Sequence, residues 1–148
     1  GEVTDLGSLG GGDVQAFAIN DSAQVVGLSG GHAFLYSNGV MVDLGTLPND
    51  PYSCAYGINN KGQIDGATGG SAFLYENGVM TDLSTFLTPE NSGWLFWSAY
   101  DINDDGWITG VARRGDLGEY HAFILTPEPG TIVLLALGGA VVRRCRRL

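Results

Sequence analysis

The sequence predicts an all-β fold made of repeated four-stranded antiparallel units, and three observations support this prediction. Glycine supplies 24 of the 148 residues while charged residues make up only 16%, a composition that suits short strands joined by tight turns. The chain repeats itself with a period near 40 residues, as repeat architectures do. An apolar pattern with the 3.6-residue period of a helix is missing before the C-terminal segment, so a short hydrophobic helix is expected only there.

Three copies of one pattern define the units, and the third copy is longer than the others. Each copy holds an Ile-Asn pair, a turn, an apolar residue two places before a glycine, and an Ala-Phe pair. Asn20 and Asn59 lie 39 residues apart, whereas Asn103 follows Asn59 by 44. We place the units at about 7–45, 46–84 and 85–126, with insertions in the third around 94–97 and 113–119.

Each unit predicts four strands, and in the first unit they span 16–20, 24–28, 32–36 and 40–44. Asn38-Gly39 separates the third strand from the fourth and supplies the positive φ angles of a two-residue hairpin. The third strand, Ala33-Phe34-Leu35-Tyr36, is apolar on successive residues, so both of its faces must be covered. The blades of a β-propeller are covered on both faces and have four strands in about 40 residues.

The number of strands bears on whether the predicted propeller closes. Residues 2–6 match the fourth-strand pattern at 40–44, whereas the third unit has no fourth strand of its own. We therefore expect residues 2–6 to complete the last sheet. Three sheets lie below the usual four to eight blades, so we expect a partial or three-unit propeller, with a three-fold barrel of the β-trefoil or prism kind as the alternative. Because the chain starts inside a repeat, we expect it to be a piece of a longer one.

Charge and cysteine content exclude several classes of function. Residues 1–126 hold three basic and fifteen acidic side chains, a net charge of −12, which repels phosphate backbones and argues against nucleic-acid binding. Cys54 and Cys145 fall in segments of different character, so no internal disulfide is expected. Zinc-type ligand spacing is lacking, and neither GxSxG, HExxH nor a P-loop occurs. We expect a protein that is not an enzyme.

The repeats resemble the HAF family of extracellular repeat proteins over nearly all of residues 1–126. The likeness rests on Ala18-Ile19-Asn20, Gln24-Val25-Val26-Gly27, His32-Ala33-Phe34-Leu35-Tyr36 and Asp43-Leu44-Gly45-Thr46-Leu47. The resemblance implies an exported bacterial protein and no defined activity. The middle unit has Ser71 where the other units have His32 and His121, which favours a structural role for the histidine.

Residues 127–148 resemble a PEP-CTERM sorting signal. Pro127-Glu128-Pro129 precedes an apolar stretch that we predict to be a membrane segment, followed by an arginine cluster that we predict to be its cytoplasmic anchor. The apolar residues are Thr131, Ile132, Val133, Leu134, Leu135, Ala136, Leu137, Val141 and Val142, and the cluster is Arg143, Arg144, Arg146 and Arg147. Twelve helical residues span about 18 Å of a roughly 30 Å hydrocarbon core, and arginine side chains can bridge part of the difference.

The sorting signal implies a location and a partner. Positive charge marks the cytoplasmic side of a membrane, so the body of the protein would lie outside. By resemblance, an exosortase-type transpeptidase recognises Pro127–Pro129 and cleaves near it, so the protein would be secreted or at the cell surface, with a transient membrane anchor. A buried terminal helix is the alternative, which the four arginines disfavour.

Two weaker patterns concern ligands. Asp101, Asn103 and Asp105 match the first half of a calcium loop, but Lys61 stands at the equivalent of Asp105 in the second unit. A polar turn is therefore expected, no cofactor is assigned, and calcium is the alternative. Trp94 and Trp97 belong to an aromatic cluster that stacks on the sugar rings of an extracellular polysaccharide, or else packs in the core or forms an oligomer contact.

These observations lead to two hypotheses of function. The first is an exported cell-surface or extracellular-matrix protein with a structural or adhesive role, sorted by an exosortase-type system. The second is a secreted module that binds carbohydrate or degrades polysaccharide.

Overall fold

The computed structural model describes residues 1–115 and 118–127, and this part of the chain is all-β. The strands form three antiparallel sheets, and the sheets do not close into a barrel. Two short 3-10 helices, Leu83–Phe86 and Pro89–Asn91, lie between the second and third sheets in the chain. The predicted all-β, antiparallel class is confirmed. The three-fold barrel is not what the structure has, the propeller arrangement stays a prediction, and the predicted C-terminal helix lies outside the described residues.

The first two sheets have four strands each, in sequence order, and the third has three. The first sheet contains β1 (Val14–Ile19), β2 (Val25–Ser29), β3 (His32–Ser37) and β4 (Val40–Asp43). The second contains β5 (Ser53–Ile58), β6 (Ile64–Thr68), β7 (Ala72–Glu76) and β8 (Val79–Asp82). The third contains β9 (Trp94–Ile102), β10 (Ile108–Arg114) and β11 (Tyr120–Leu125).

The Asn-Gly turns have the geometry that their sequence requires. Asn38 and Gly39 have φ angles of 52° and 83°, and Asn77 and Gly78 have 52° and 81°. Positive φ at both central residues defines the type I′ turn, whose twist matches that of the flanking strands. These turns set the pairing of β3 with β4 and of β7 with β8.

Every sheet has a bulge in its first strand, opposite a glycine. The pairing register shifts around Phe17 in β1, Tyr56 in β5 and Tyr100 in β9. The glycines are Gly27, Gly66 and Gly110, and a Cβ atom at any of them would collide with a carbonyl oxygen of the bulged strand and with a phenylalanine ring. The recurring glycine and the recurring Ala-Phe pair are therefore parts of one packing arrangement: the ring lies where a side chain would otherwise be.

The core lies between the sheets in two clusters, and the second sheet contributes to both. One cluster joins Val26 and Ala33 of the first sheet to Ile58, Ile64 and Phe73 of the second. The other joins Ala72 and Leu74 of the second sheet to Ala99, Ile102 and Ile108 of the third. The second sheet is thus covered on both faces, as its unbroken apolar strands predict.

The expectation for residues 2–6 differs from the structure. These residues form no strand, the side chain of Val3 is 95% exposed, and the third sheet has three strands. The Leu9 amide donates a hydrogen bond of 2.9 Å to Ser29 Oγ, which ties the chain just after residues 2–6 to the first sheet. In this structure residues 2–6 therefore do not complete the third sheet.

The insertions of the third unit lengthen its strands. β9 has nine residues and β10 has seven, against six and five in β5 and β6. The residues from Trp94 to Trp97 consequently lie in a strand.

Candidate functional site

A column of asparagine side chains connects the turns that follow the first strand of each sheet. Asn20 Nδ2 donates to the carbonyl oxygen of Asn59 at 3.0 Å, and Asn59 Nδ2 donates to that of Asn103 at 2.9 Å. Each of the three Oδ1 atoms also accepts two amide hydrogen bonds from its own turn. The recurring Ile-Asn pair therefore has a structural role, since the asparagine closes its own turn and, in the first two units, fastens that turn to the next sheet.

The calcium candidate belongs to this column. Asn103 Oδ1 accepts the amides of Asp105 and Trp107, and Asp101 Oδ1 accepts the amide of Ile102. Asn60, in the turn of the second unit, bonds to the turn of the third unit. Its amide donates to Asp104 Oδ1 and its Nδ2 donates to Asp104 Oδ2, and these bonds lower the pKa of Asp104. No cluster of three or more acidic, histidine or cysteine side chains suited to a metal ion occurs in residues 1–115 and 118–127. Calcium binding stays a prediction without a geometric argument in its favour.

One histidine pairs with the aspartate at the end of the neighbouring fourth strand. His32 Nδ1 lies 2.9 Å from Asp43 Oδ2, and Asp43 Oδ1 accepts the Gly45 amide. Partial burial raises the pKa of Asp43, but the hydrogen bonds from His32 and Gly45 outweigh it and lower that pKa overall. Asp82 makes the corresponding bond to the Ser84 amide without a histidine beside it, because Ser71 replaces that residue. Here the aspartate caps a turn, as proteins commonly use it.

The bulges place three aromatic rings in a row, which we call the aromatic row: Phe17, Tyr56 and Tyr100. The ring centroids lie 5.3 Å apart for the first pair and 5.7 Å apart for the second, both in edge-to-face geometry. Phe17 and Tyr100 are exposed and Tyr56 is half-buried. The sequence-based prediction of functional residues did not include this row, although a usable signal exists: each ring stands three residues before the asparagine of its unit.

The structure does not bring Trp94 and Trp97 together as one platform. Trp94 packs against the core cluster between the second and third sheets, 5.3 Å from the His121 ring and 5.7 Å from the Arg114 guanidinium. Trp97 lies at a second register shift in β9, is 43% exposed, and meets the Tyr120 ring at 6.1 Å. Of these two tryptophans, only Trp97 is presented to solvent as a stacking residue would be.

A hollow of about 360 Å³ opens beside the aromatic row, and the free Cys54 lines it together with Tyr52, Tyr56 and Asp13. Burial raises the pKa of the Cys54 thiol, with a hydrogen bond involving Tyr56 acting against it. A thiol with a raised pKa is largely protonated at neutral pH and is a poor nucleophile.

The most perturbed carboxyl group is sealed inside the protein. Asp65 is fully buried, and neither of its carboxylate oxygens makes a hydrogen bond. Burial, with a smaller contribution from the Asp101 carboxylate, raises the pKa of Asp65 to about 7. Perturbed carboxyl groups often mark active sites, but a substrate has no access to this one.

The described residues contain no helix of the length and hydrophobicity that a membrane crossing needs. The predicted sorting residues Glu128 and Pro129, the apolar stretch and the arginine cluster lie outside the described part, and Pro127 is its last residue.

Comparison with known proteins gives one match, at the end of the chain. Residues 125–147 match the model of the PEP-CTERM protein-sorting motif. Neither a curated protein nor a solved structure matches the chain. The motif indicates an exported protein with a membrane-associated sorting tail, recognised by the membrane processing enzyme exosortase. Residues 125–147 are therefore a PEP-CTERM sorting motif, and the chain carries the signal of an exosortase-sorted extracellular protein.

Proposed function

We propose that this chain is a bacterial cell-surface or matrix protein whose repeats, of the HAF kind and propeller-like, serve a structural or adhesive role. The observation that supports the proposal most is the sorting motif at residues 125–147. The acidic body, with a net charge of −12 over residues 1–126, suits a protein that stays soluble outside the cell. An exosortase-type transpeptidase is the processing partner, and it cuts near Pro127–Pro129.

The character of the candidate sites favours a structural role over an enzymatic one. The asparagine column and the Asp43–His32 pair use their polar atoms on turns and on neighbouring strands. Asp65 is inaccessible and the Cys54 thiol is held protonated. Among the described residues, no nucleophile, base and orienting group come together in the way catalysis needs.

The sorting step is tested by changing the motif in the full chain, fused behind an export signal in a bacterium that has an exosortase. We expect the double substitution Pro127→Ala and Pro129→Ala to leave the protein uncleaved in the membrane fraction, because the enzyme then lacks its recognition element. Mass spectrometry of the surface and membrane fractions measures the C-terminus of each form. Pro48→Ala with Pro51→Ala is the matched control, since both prolines are exposed and lie outside the motif. Unchanged cleavage in the motif variant would contradict the proposal.

A second candidate function is carbohydrate binding, and the exposed aromatic rings favour it. Trp97, Phe17 and Tyr100 offer flat apolar surfaces to solvent, which complement the C–H faces of sugar rings. If this candidate is right, Trp97→Ala lowers retention of the protein on extracellular polysaccharide while its melting temperature stays the same. Trp94→Ala is the comparison and should lower the melting temperature, because this ring packs against the core. Full retention by the Trp97 variant rules this residue out as a binding platform.

A further inference from the structure

The turn between the second and third strands has similar surroundings in the first two sheets. It contains Gly30-Gly31 in the first sheet and Gly69-Gly70 in the second. The second glycine of each pair faces an aromatic ring. A Cβ atom at Gly31 would lie 3.3 Å from the Tyr52 ring, and one at Gly70 would lie 3.9 Å from the Trp97 ring. Tyr52 directly precedes β5 and Trp97 belongs to β9, so at both junctions the ring comes from the following sheet.

Different local structures bring the two rings to the same position. Tyr52 lies seven residues before the asparagine of its unit, Asn59, whereas Trp97 lies six residues before Asn103. The pairing of β9 with β10 shifts its register at Trp97, and the pairing of β5 with β6 has no second shift of this kind. The extra residue of that bulge is the tryptophan itself. Repetition of the unit does not explain the shared position, because the two rings do not align in the sequence.

Oxygen atoms that accept hydrogen bonds lie beside the first glycine of each turn. A Cβ atom at Gly30 would come within 2.6 Å of the Gly10 carbonyl oxygen, and one at Gly69 within 2.8 Å of Asp50 Oδ1. The Thr68 hydroxyl holds the Asp50 carboxylate there by donating to Oδ2 at 2.6 Å. Each turn thus combines an aromatic ring with an acceptor oxygen.

The turn of the first sheet opens into the hollow of about 360 Å³. Gly31 and Tyr52 line this hollow together with Asp13, Tyr56 and Thr68. Its volume lies within the roughly 300–1,000 Å³ that is common for small-molecule sites. Among the described residues that line the hollow, the one ionisable group that is charged at neutral pH is the Asp13 carboxylate, so an anionic ligand would meet repulsion there.

The features that the two turns share restrict the chemistry of a ligand. Tyr52 is 64% exposed and Trp97 is 43% exposed, and an exposed flat ring complements the C–H face of a sugar. The oxygen atoms beside the rings suit sugar hydroxyl groups, because a carbonyl or carboxylate oxygen can only accept a hydrogen bond. The net charge of −12 over residues 1–126 repels an acidic polymer. Together these properties favour a neutral polysaccharide.

We propose that the two turns are equivalent binding places for a neutral polysaccharide, with one sugar ring on Tyr52 and another on Trp97. Both places lie at the end of the sheets opposite the asparagine column, since the turns before and after a strand lie at its two ends. Two places hold a polymer more tightly than one, because the second sugar binds from a chain that is already held. The inference rests on the carbohydrate-binding candidate and adds Tyr52 and a second place to it.

Affinity electrophoresis of the full chain tests the two places, with the protein kept in a detergent that has no sugar groups. Separate gels contain hydroxyethyl cellulose, galactomannan or dextran as neutral polymers, and alginate as the acidic one. We expect at least one neutral polymer to retard the original chain and alginate to leave its migration unchanged.

Substitution of each ring then assigns the retardation to a place. Tyr52→Ala and Trp97→Ala should each raise the apparent Kd by roughly three- to tenfold, the size of one aromatic stacking contact, and the double variant should migrate as in a gel without polymer. Tyr52→Phe and Trp97→Phe keep a ring and should keep the retardation. Trp107→Ala is the matched control and should bind like the original chain. Trp107 is 49% exposed and lies in the turn of Asn103, at the other end of the third sheet.

Four results would contradict the inference, and they differ in what they leave standing. Weaker retardation of Trp97→Ala with unchanged retardation of Tyr52→Ala keeps carbohydrate binding and overturns the equivalence of the two places. A loss in Trp107→Ala as large as in the other variants overturns the assignment to this end of the sheets. Retardation by alginate alone overturns the choice of a neutral ligand. Free migration of the original chain in every neutral polymer and in alginate overturns the inference and the carbohydrate-binding candidate together.

Discussion

At the scale of single residues, Asp65 is an unfavourable feature of the fold, because its carboxyl group is buried without a hydrogen-bond partner. It occupies the strand position that holds Val26 in the first sheet and Thr109 in the third. Its oxygens lie against Gly57, where a Cβ atom would collide with Oδ1. An ionised carboxylate without hydrogen bonds is unfavourable in such a place, so the group takes up a proton near neutral pH.

The titration of Asp65 makes stability depend on pH in a direction that can be measured. Its folded pKa of about 7 lies above the ordinary value of 3.8, so the folded state binds the extra proton between these limits and stability falls as pH rises from about 4 to about 7. Asp65→Asn removes the charge and keeps the shape. Its melting temperature should exceed that of the original chain increasingly toward pH 8, and one pKa unit corresponds to about 1.4 kcal/mol, which limits the gain to roughly 4 kcal/mol.

Asp43→Asn supplies a control of opposite sign. The pKa of Asp43 is lowered in the folded state, so its carboxylate stabilises the fold at neutral pH, and that contribution is lost as pH falls into the acid range. This variant should be the less stable one at pH 7 and should approach the original chain in acid. A pH profile of Asp65→Asn parallel to that of the original chain would show that Asp65 does not titrate as described.

Asp65 also shows where prediction from sequence stops at this scale. Most acidic residues of the chain stand in turns, and the local sequence pattern does not distinguish an acidic residue inside a strand from these. The available signal is its place within Ile64-Asp65-Gly66, in a unit whose strands are covered on both faces. Whether a carboxyl group is buried depends on the sheets that pack against its strand, and the sequence of one strand does not show which sheets these are.

At the scale of elements, the asparagine column is the polar connection between neighbouring sheets. Asn59 is buried. Its Nδ2 donates to the Gln63 side chain and to the Asn103 carbonyl oxygen, and its Oδ1 accepts the amides of Lys61 and Gln63. Asn59→Ala removes the hydrogen bonds of these partners, and each buried polar group left unpaired lowers the free energy of unfolding by about 1–3 kcal/mol. We expect the melting temperature to fall by roughly 5–15 °C.

The other two asparagines provide a graded comparison for that variant. Asn20 is half-buried and Asn103 is exposed, and within the described chain Asn103 donates to no further turn. The loss should therefore be largest for Asn59→Ala, smaller for Asn20→Ala, and smallest for Asn103→Ala. Equal losses at all three positions would mean that closing the turn matters and that the link between sheets does not.

Hairpins and bulges differ in how well the sequence predicts them. Asn38-Gly39 and Asn77-Gly78 determine their turns, because few other dipeptides accept positive φ at both positions. The bulges at Phe17, Tyr56 and Tyr100 are not predicted. A bulge adds one residue to one strand of a pair, and a single strand shows no sign of it until its partner is known. The aromatic row therefore becomes visible only once the strands are paired.

At the scale of the whole molecule, the sequence predicts local organisation well and the closure of the fold poorly. The strands of the units and the sorting motif at 125–147 both follow from local patterns. Whether residues 2–6 complete the third sheet depends on the angles between sheets added over the chain, and a repeat period does not contain that information. In the structure residues 2–6 form no strand, and the chain just after them is tied to the first sheet by the Leu9–Ser29 hydrogen bond.

The edge position of β11 has a mechanical consequence. This strand ends at Leu125, where the sorting motif begins, and among the described strands it is held by β10 on one side alone. While the tail remains in the membrane, any pull between the cell and the body of the protein enters the fold through β11. The six residue pairs between β10 and β11 carry that load first, and a strand on the free side of β11 would share it.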